Sequence, residues 1–247
     1  MGVTHVAPAI AVAGMHRSGT SMVARILGEC GVYLGEPDQL VPATPTNPEG
    51  HFEHVDFLYV NKTVLRRLLG SWDRPPHPLA WRALGWRLRP LRERARELVD
   101  EMASRSPWAW KDPRTSLTLP FWLPLLPDVR VVLCVREPLA VAASLAARDD
   151  LETSKALELW HAYNSSLLRA APRSSVTVTA YERYFEDPEH EIRRLVTRLG
   201  LGASSREIAT AAATVRGDLR RQRPRELEAL PTRIARLRTE LLADARR

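Results

Sequence analysis

Two short constellations in the sequence could do chemistry on an anion. The first is Gly14-Met15-His16-Arg17-Ser18-Gly19-Thr20-Ser21. It follows a fully apolar run at 9–13 and precedes Met22, Val23, Ile26 and Leu27 at helical spacing. A glycine-rich turn between strand and helix offers backbone N–H groups and a helix N-terminus to an anion. Gly14, Gly19 and Ser21 fit the phosphate-cradling pattern G-x-x-x-x-G-K-[ST], but Thr20 stands at its lysine position. The positive charge is instead inside the turn, at Arg17. The missing lysine, which would reach the β and γ phosphates, counts against a nucleoside triphosphatase. The second constellation is Val135-Arg136-Glu137-Pro138, then Ser144 and Arg148. Arg136 ends the run 129–135, the strongest strand signal in the chain, so its guanidinium reaches the crevice beyond the strand end. Ser144 and Arg148 lie four apart on the helix predicted over 138–148 and share a face. A hydroxyl and two guanidiniums so arranged suit a phosphomonoester. A surface Arg–Glu network is the plain alternative.

These groups need a rigid frame. The runs 9–13, 108–111, 129–135 and 176–181 read as strands, short and rich in apolar residues. Between them, helices are predicted over 21–27, 54–69, 91–102, 116–126, 138–148, 151–170 and 188–199. Residues 31–50 read as loop. Residues 71–90, with Pro75, Pro76, Pro78 and Trp72, Trp81, Trp86, read as an inserted loop or lid. Its tryptophans are candidates to stack on a substrate ring or to pack as a lid core. From Ser204 onward the chain reads as a basic helical extension over 203–247, with a loop at 216–224. Alternating strands and helices imply a single P-loop-like, three-layer α/β/α domain over 1–247 with a mostly parallel central sheet.

Composition narrows the class. The chain has 247 residues, 45% hydrophobic and 26% charged, ordinary values for a globular protein and wrong for a disordered or fibrous one. No apolar run approaches the ~20 residues of a membrane span. The apolar stretch 3–14 is short and has no preceding positive charge, so it reads as a strand rather than a leader. Position 6 is Val, which breaks the myristoylation pattern. Cys30 and Cys134 lie in apolar surroundings, pointing to a reduced, cytoplasmic setting without a disulfide framework. Net charge is +7, and residues 216–247 hold ten arginines against five acids. That surplus suits an anionic ligand or a solvated helical face. Its interleaved acids and few aromatics argue against a nucleic-acid partner. Only three lysines occur, Lys62, Lys111 and Lys155.

Taken together, the constellations resemble the sulfotransferase superfamily, which uses 3′-phosphoadenosine 5′-phosphosulfate (PAPS). The turn with Arg17-Ser18-Gly19-Thr20-Ser21 is similar to that family's 5′-phosphosulfate loop. Arg136 and Ser144 are similar to its 3′-phosphate motif, and Tyr181-Glu182 to its late Y-E element. Trp110-Lys111-Asp112-Pro113-Arg114 resembles the K-D-P element of the tyrosylprotein and bacterial carbohydrate branches. Asn47-Pro48-Glu49-Gly50-His51-Phe52-Glu53 resembles a bacterial sulfotransferase segment. The resemblance implies that Arg17, Ser18, Gly19, Thr20 and Ser21 hold the phosphosulfate. Arg136 and Ser144, supported by Arg148, would hold the 3′-phosphate, and Tyr181 would contact the nucleotide. Arg17 and Lys111 would stabilise the departing nucleotide. Glu53 is the favoured base for the acceptor hydroxyl, with His51, His54 and Glu49 as other candidates. The family's Arg-Lys-Gly closing motif is missing, and 216–221 is the stand-in. The expected reaction is sulfuryl transfer to a small-molecule or carbohydrate-like acceptor, without a metal. An aryl sulfate donor stays open. A small-molecule P-loop kinase and a non-catalytic basic nucleotide or nucleic-acid binder are the alternatives, and the helix from Arg225 to Ala245 is a candidate for homodimer pairing.

Overall fold

The computed structural model describes residues 9–45, 47–126, 128–217 and 229–247. In chain order come β1 (Ile10–Gly14), α1 (Thr20–Glu29), α2 (Val55–Arg67), α3 (Pro78–Leu84) and α4 (Arg89–Ala103). Then follow β2 (Ala109–Lys111), α5 (Thr115–Trp122), β3 (Arg130–Val135), α6 (Pro138–Asp149) and α7 (Thr153–Ala170). The chain closes with β4 (Val176–Ala180), α8 (Pro188–Arg198), α9 (Ser205–Ala213) and α10 (Thr232–Asp244). The strand order is β2-β1-β3-β4, and each neighbouring pair is parallel. In the register, Gly14 stands opposite Cys134 and Val135 opposite Ala180.

A parallel sheet must be covered on both faces, which is why β1, and β3 after Arg130, are apolar. Ala11, Ala13, Val131, Leu133 and Val135 face a core built with α2, α4, α5, α6, α7 and α10. Ile10, Val12, Val132 and Cys134 face the opposite core with α1, α8 and α9. Helix starts follow local chemistry. Pro138 and Pro188 occupy first-turn positions, where a missing N–H costs nothing. Ser204 and Glu207 form a reciprocal capping box on α9.

Three expectations change. Residues 71–90 are not a loop throughout: they include α3, a 3-10 turn at 85–88 and the start of α4. Pro78 is the first residue of α3, and the His77 imidazole accepts from the Leu79 N–H at 3.3 Å. Pro78 marks a helix start, while Pro75 and Pro76 stay in the irregular segment before it. α5 is shorter than its predicted span of 116–126, and it tolerates Pro120 because nearly every side chain on it is buried. The basic extension is no appendage, since α9 completes one core and α10 the other. Ile234, Leu237 and Leu241 of α10 are buried inside the molecule, so that apolar face is not offered to a second copy. The stretch 3–8, positions 218–224 of the expected loop and the start of the tail helix at 225–228 lie outside the described residues.

Candidate active site

Beyond the carboxyl ends of β1 and β3 opens a cavity of about 170 Å³, continuous with solvent. The turn after β1 forms one wall, and its shape is forced by backbone. Gly14 has φ +140°, and a Cβ there would lie 2.3 Å from the Cys134 carbonyl oxygen. Gly19 has φ +87°, and its missing Cβ makes room for the Tyr181 ring, which would otherwise be met at 2.4 Å. Only glycine fits either position. Arg17 itself sits at φ 68°, which aims its side chain out of the turn.

Arg17 Nε donates to Ser144 Oγ at 2.9 Å, and Arg136 Nη1 donates to the Arg17 carbonyl at 3.1 Å. The Arg136 guanidinium lies 4.6 Å from the centre of the Tyr181 ring. Two constellations more than a hundred residues apart in sequence thus form one cationic wall. Burial, with Arg148 and Arg136 nearby, lowers the Arg17 pKa. Arg17, Gly19, Thr20, Ser21, Arg136, Arg148 and Tyr181 line the cavity; Ser18 and Ser144 sit behind them. Ser18 Oγ is buried with no hydrogen-bond partner. Arg148 departs from the expected fork: it pairs with Asp149 at 2.7 Å and lies over Trp72, while Ser144 is held by Arg17.

The opposite wall carries Glu53 and Lys111. They are 8% and 2% exposed, and Lys111 Nζ donates to Glu53 Oε1 at 2.8 Å. β2 delivers Lys111, and the segment before α2 delivers Glu53. Burial pushes the Glu53 carboxyl up, but the Lys111 charge and hydrogen bond, with Arg114 behind, outweigh it and hold the carboxyl below its usual value. Arg114 lies 3.9 Å from Glu53 Oε2 and 2.9 Å from Asp112 Oδ1. Asn61 Nδ2 donates to Asp112 Oδ2 at 2.9 Å, and Asn61 Oδ1 accepts from Thr118 at 2.6 Å and Trp122 at 2.9 Å. A satisfied polar network of this kind fixes its members in place.

The other base candidates are placed differently. His54 caps α2, its Nδ1 accepting from the Asp56 N–H at 3.3 Å, and it does not line the cavity. His51 lines the cavity, and its Nε2 pairs with Thr44 Oγ1 at 3.0 Å. Glu49 is bound by Arg25 and, at 3.5 Å, by Arg216. Arg216 and Gly217 are the described part of the expected closing loop, and Arg216 lines the cavity.

Sequence reasoning gave no role to His16, Arg25, Asn61 or Arg114. His16 is buried in the turn, edge-on to Trp72 and Tyr163. Burial, with repulsion from Arg114, Arg148, Lys111 and Arg17, drives its imidazole well below the ordinary histidine value. Trp72 serves that packing. Trp81 is half-buried against the core, and Trp86 is 69% exposed.

Comparison with known proteins places the fold. The chain shares its fold with the sulfotransferase domain of the Synechococcus PCC 7002 olefin synthase (TM-score 0.58, 14% identity, 95% of this chain and 94% of that one). The sulfotransferase domain from the curacin biosynthetic pathway gives a TM-score of 0.56 at 14% identity, covering 95% and 98%. Sulfotransferase STF9 from Mycobacterium avium gives 0.56 at 16% identity, covering 96% and 76%. No curated protein sequence matches significantly. Among the described residues no helix is long and apolar enough to cross a membrane. The family model described as "Sulfotransferase family" matches residues 8–205, most of the chain and both walls of the cavity apart from Thr214 and Arg216, and the chain therefore belongs to that family of sulfuryl-transferring enzymes.

Proposed function

We propose that this sulfotransferase takes its sulfuryl group from PAPS and delivers it to a hydroxyl of a small-molecule or carbohydrate-like acceptor. The observation that carries the reading is the joining of the glycine turn to Arg136 and Ser144 through Arg17. It sets two anion-binding groups at one cavity, as a donor with phosphates at both its 5′ and 3′ positions requires. The unpartnered Ser18 hydroxyl fits that donor too, because a buried donor without a partner costs ~1–3 kcal/mol and a phosphate oxygen would satisfy it. PAPS would supply a sulfuryl group on a good leaving phosphate.

The chain's own residues do the rest. Arg17 and the turn amides would hold the 5′ end, Arg136 and Ser144 the 3′-phosphate, and Tyr181 the nucleotide between them. Glu53, ionised and poised, takes the hydroxyl proton as the acceptor oxygen bonds to sulfur and the S–O bond to the nucleotide breaks. Lys111 is held by Glu53 only while Glu53 is charged. Protonating Glu53 therefore releases Lys111 to meet the negative charge left on the departing phosphate, together with Arg17. In-line transfer of this type depends on positioning and charge, and a base typically contributes ~10²–10⁴-fold.

The test compares adenosine 3′,5′-bisphosphate with AMP by thermal shift. The bisphosphate should stabilise the fold more, by RT ln(1 + [L]/Kd). Arg136→Ala should lower bisphosphate affinity roughly tenfold or more and AMP affinity far less. Equal affinity of the wild type for both nucleotides removes the 3′-phosphate assignment. Obligatory Mg²⁺ dependence with phosphate transfer from ATP installs a kinase instead.

A further inference from the structure

The end of α2 carries a surface that the active site does not use. Leu69 follows the last turn of that helix with φ 60°, the left-handed region. The Gly70 N–H donates to the Leu65 carbonyl at 2.9 Å, and the Leu69 N–H to the Arg66 carbonyl at 3.0 Å. This is the helix stop in which glycine normally takes the left-handed position. Here leucine takes it, with glycine next in the chain, and 69% of that leucine is exposed. Backbone strain and solvation both disfavour it, so folding alone does not account for it.

Trp86 stands beside it, also 69% exposed. Arg67 and Arg87 fix the pair on one surface: Arg67 Nη1 donates to the Arg87 carbonyl at 2.7 Å, and Arg87 Nη1 to the Arg67 carbonyl at 3.2 Å. Arg66 and Arg89 complete the surround. No acid lines this patch, and among the described residues none of the four arginines makes an ion pair with a carboxylate. The depression is shallow and open, unlike a pocket for a small ligand.

We propose that this patch docks the enzyme onto an anionic phospholipid surface. Trp86 would lie at headgroup level, Leu69 would dip into the acyl boundary, and the arginines would meet lipid phosphates. Charge complementarity selects an anionic partner. The protruding leucine selects lipid over nucleic acid, whose phosphate backbone gives such a side chain no apolar partner.

The experiment is co-sedimentation with vesicles of phosphatidylglycerol and phosphatidylcholine, against vesicles of phosphatidylcholine alone. The wild type should bind the anionic vesicles and lose them as salt rises. Arg66→Gln with Arg89→Gln, two arginines with no structural bond to lose, should weaken binding roughly tenfold or more. Trp86→Ala should weaken it about fivefold. Leu69→Gly should weaken it while raising Tm, because glycine relieves the strained turn; a purely structural role for Leu69 would not give that opposition. Each variant should still be stabilised by adenosine 3′,5′-bisphosphate, which separates this surface from the active site. Equal binding to neutral and anionic vesicles, or binding that survives all of these substitutions, overturns the proposal. Capture by duplex DNA that needs Arg66 and Arg89, with no vesicle binding, assigns the patch to nucleic acid and overturns it as well.

Discussion

The two walls of the active-site cavity are built by different physics. The glycine-turn wall is fixed by backbone: Gly14 packs on the Cys134 carbonyl, Gly19 on the Tyr181 ring, and the cations that project from it line the cavity. The Glu53 wall is fixed by compensating charge: a buried lysine, a buried carboxylate and Arg114 hold each other, with Asp112 and Asn61 behind. A wall made of backbone tolerates no added atom, and the glycines that shape it carry nothing that titrates. A wall made of charge tolerates changes of shape but not the loss of one partner.

The largest effect should come from adding one methyl group to the backbone wall. Gly14→Ala drives a Cβ into the Cys134 carbonyl oxygen at an unfavourable φ. We expect a loss of roughly 5 kcal/mol or more, a fall in Tm of about 10–20 °C or failure to fold, read by thermal denaturation. A variant as stable as the wild type would mean the wall is softer than its geometry states. Next is Lys111→Met, which leaves Glu53 buried without its partner and should cost ~3–5 kcal/mol. The double variant Glu53→Gln/Lys111→Met should be more stable than Lys111→Met alone, because no orphan charge remains. If the two are equally damaged, the wall is held by shape after all.

Glu53→Gln keeps the side-chain shape and should cut turnover by ~10²-fold or more, with bisphosphate binding intact. If a His51 variant is the inactive one instead, Glu53 loses its role as base. The smallest effect is acid sensitivity. His16 is held neutral in the fold, below its ordinary value of 6.5, so the unfolded chain binds the extra proton. Stability from this group is therefore present above pH 6.5 and falls as pH drops below it, by at most ~1.4 kcal/mol per pH unit. Glu53, held below 4.5, adds stability that is present above that pH and fades only as pH falls toward its own lowered pKa. Replacing His16 with Gln should flatten the stability curve between pH 6.5 and 5, measured by denaturant titration.

Much of the sheet was legible because a parallel strand buried on both faces is a short apolar run and little else. β1, β3 and β4 read directly, and so did the glycine turn, since only glycine serves at Gly14 and Gly19. What failed was local ambiguity. Three prolines near position 76 look like loop, yet Pro78 is also a good first residue for a helix, and packing of α3 and its neighbours on the core decided the matter. The Arg148–Ser144 fork was reasonable from helical spacing, but adjacent Asp149 offered a nearer partner. Pairings across the fold had no sequence signal. Nothing marks Lys111 as the partner of Glu53, 58 residues away, or Asn61 as the hub beneath them. Such contacts exist only once the strands have brought distant segments together.

The scarcity of lysine gives the buried ion pair a practical use. Lys62 and Lys155 are exposed and line no part of the cavity, whereas Lys111 is sealed against Glu53. Among the lysines, amine-directed reagents should therefore couple to those two first and leave the reacting site untouched. The enzyme can be tethered or fluorescently tagged through them without blocking its own chemistry. Acylation of Lys111 then becomes a clock for the opening of the cavity wall, readable by mass spectrometry against two internal standards on the same chain.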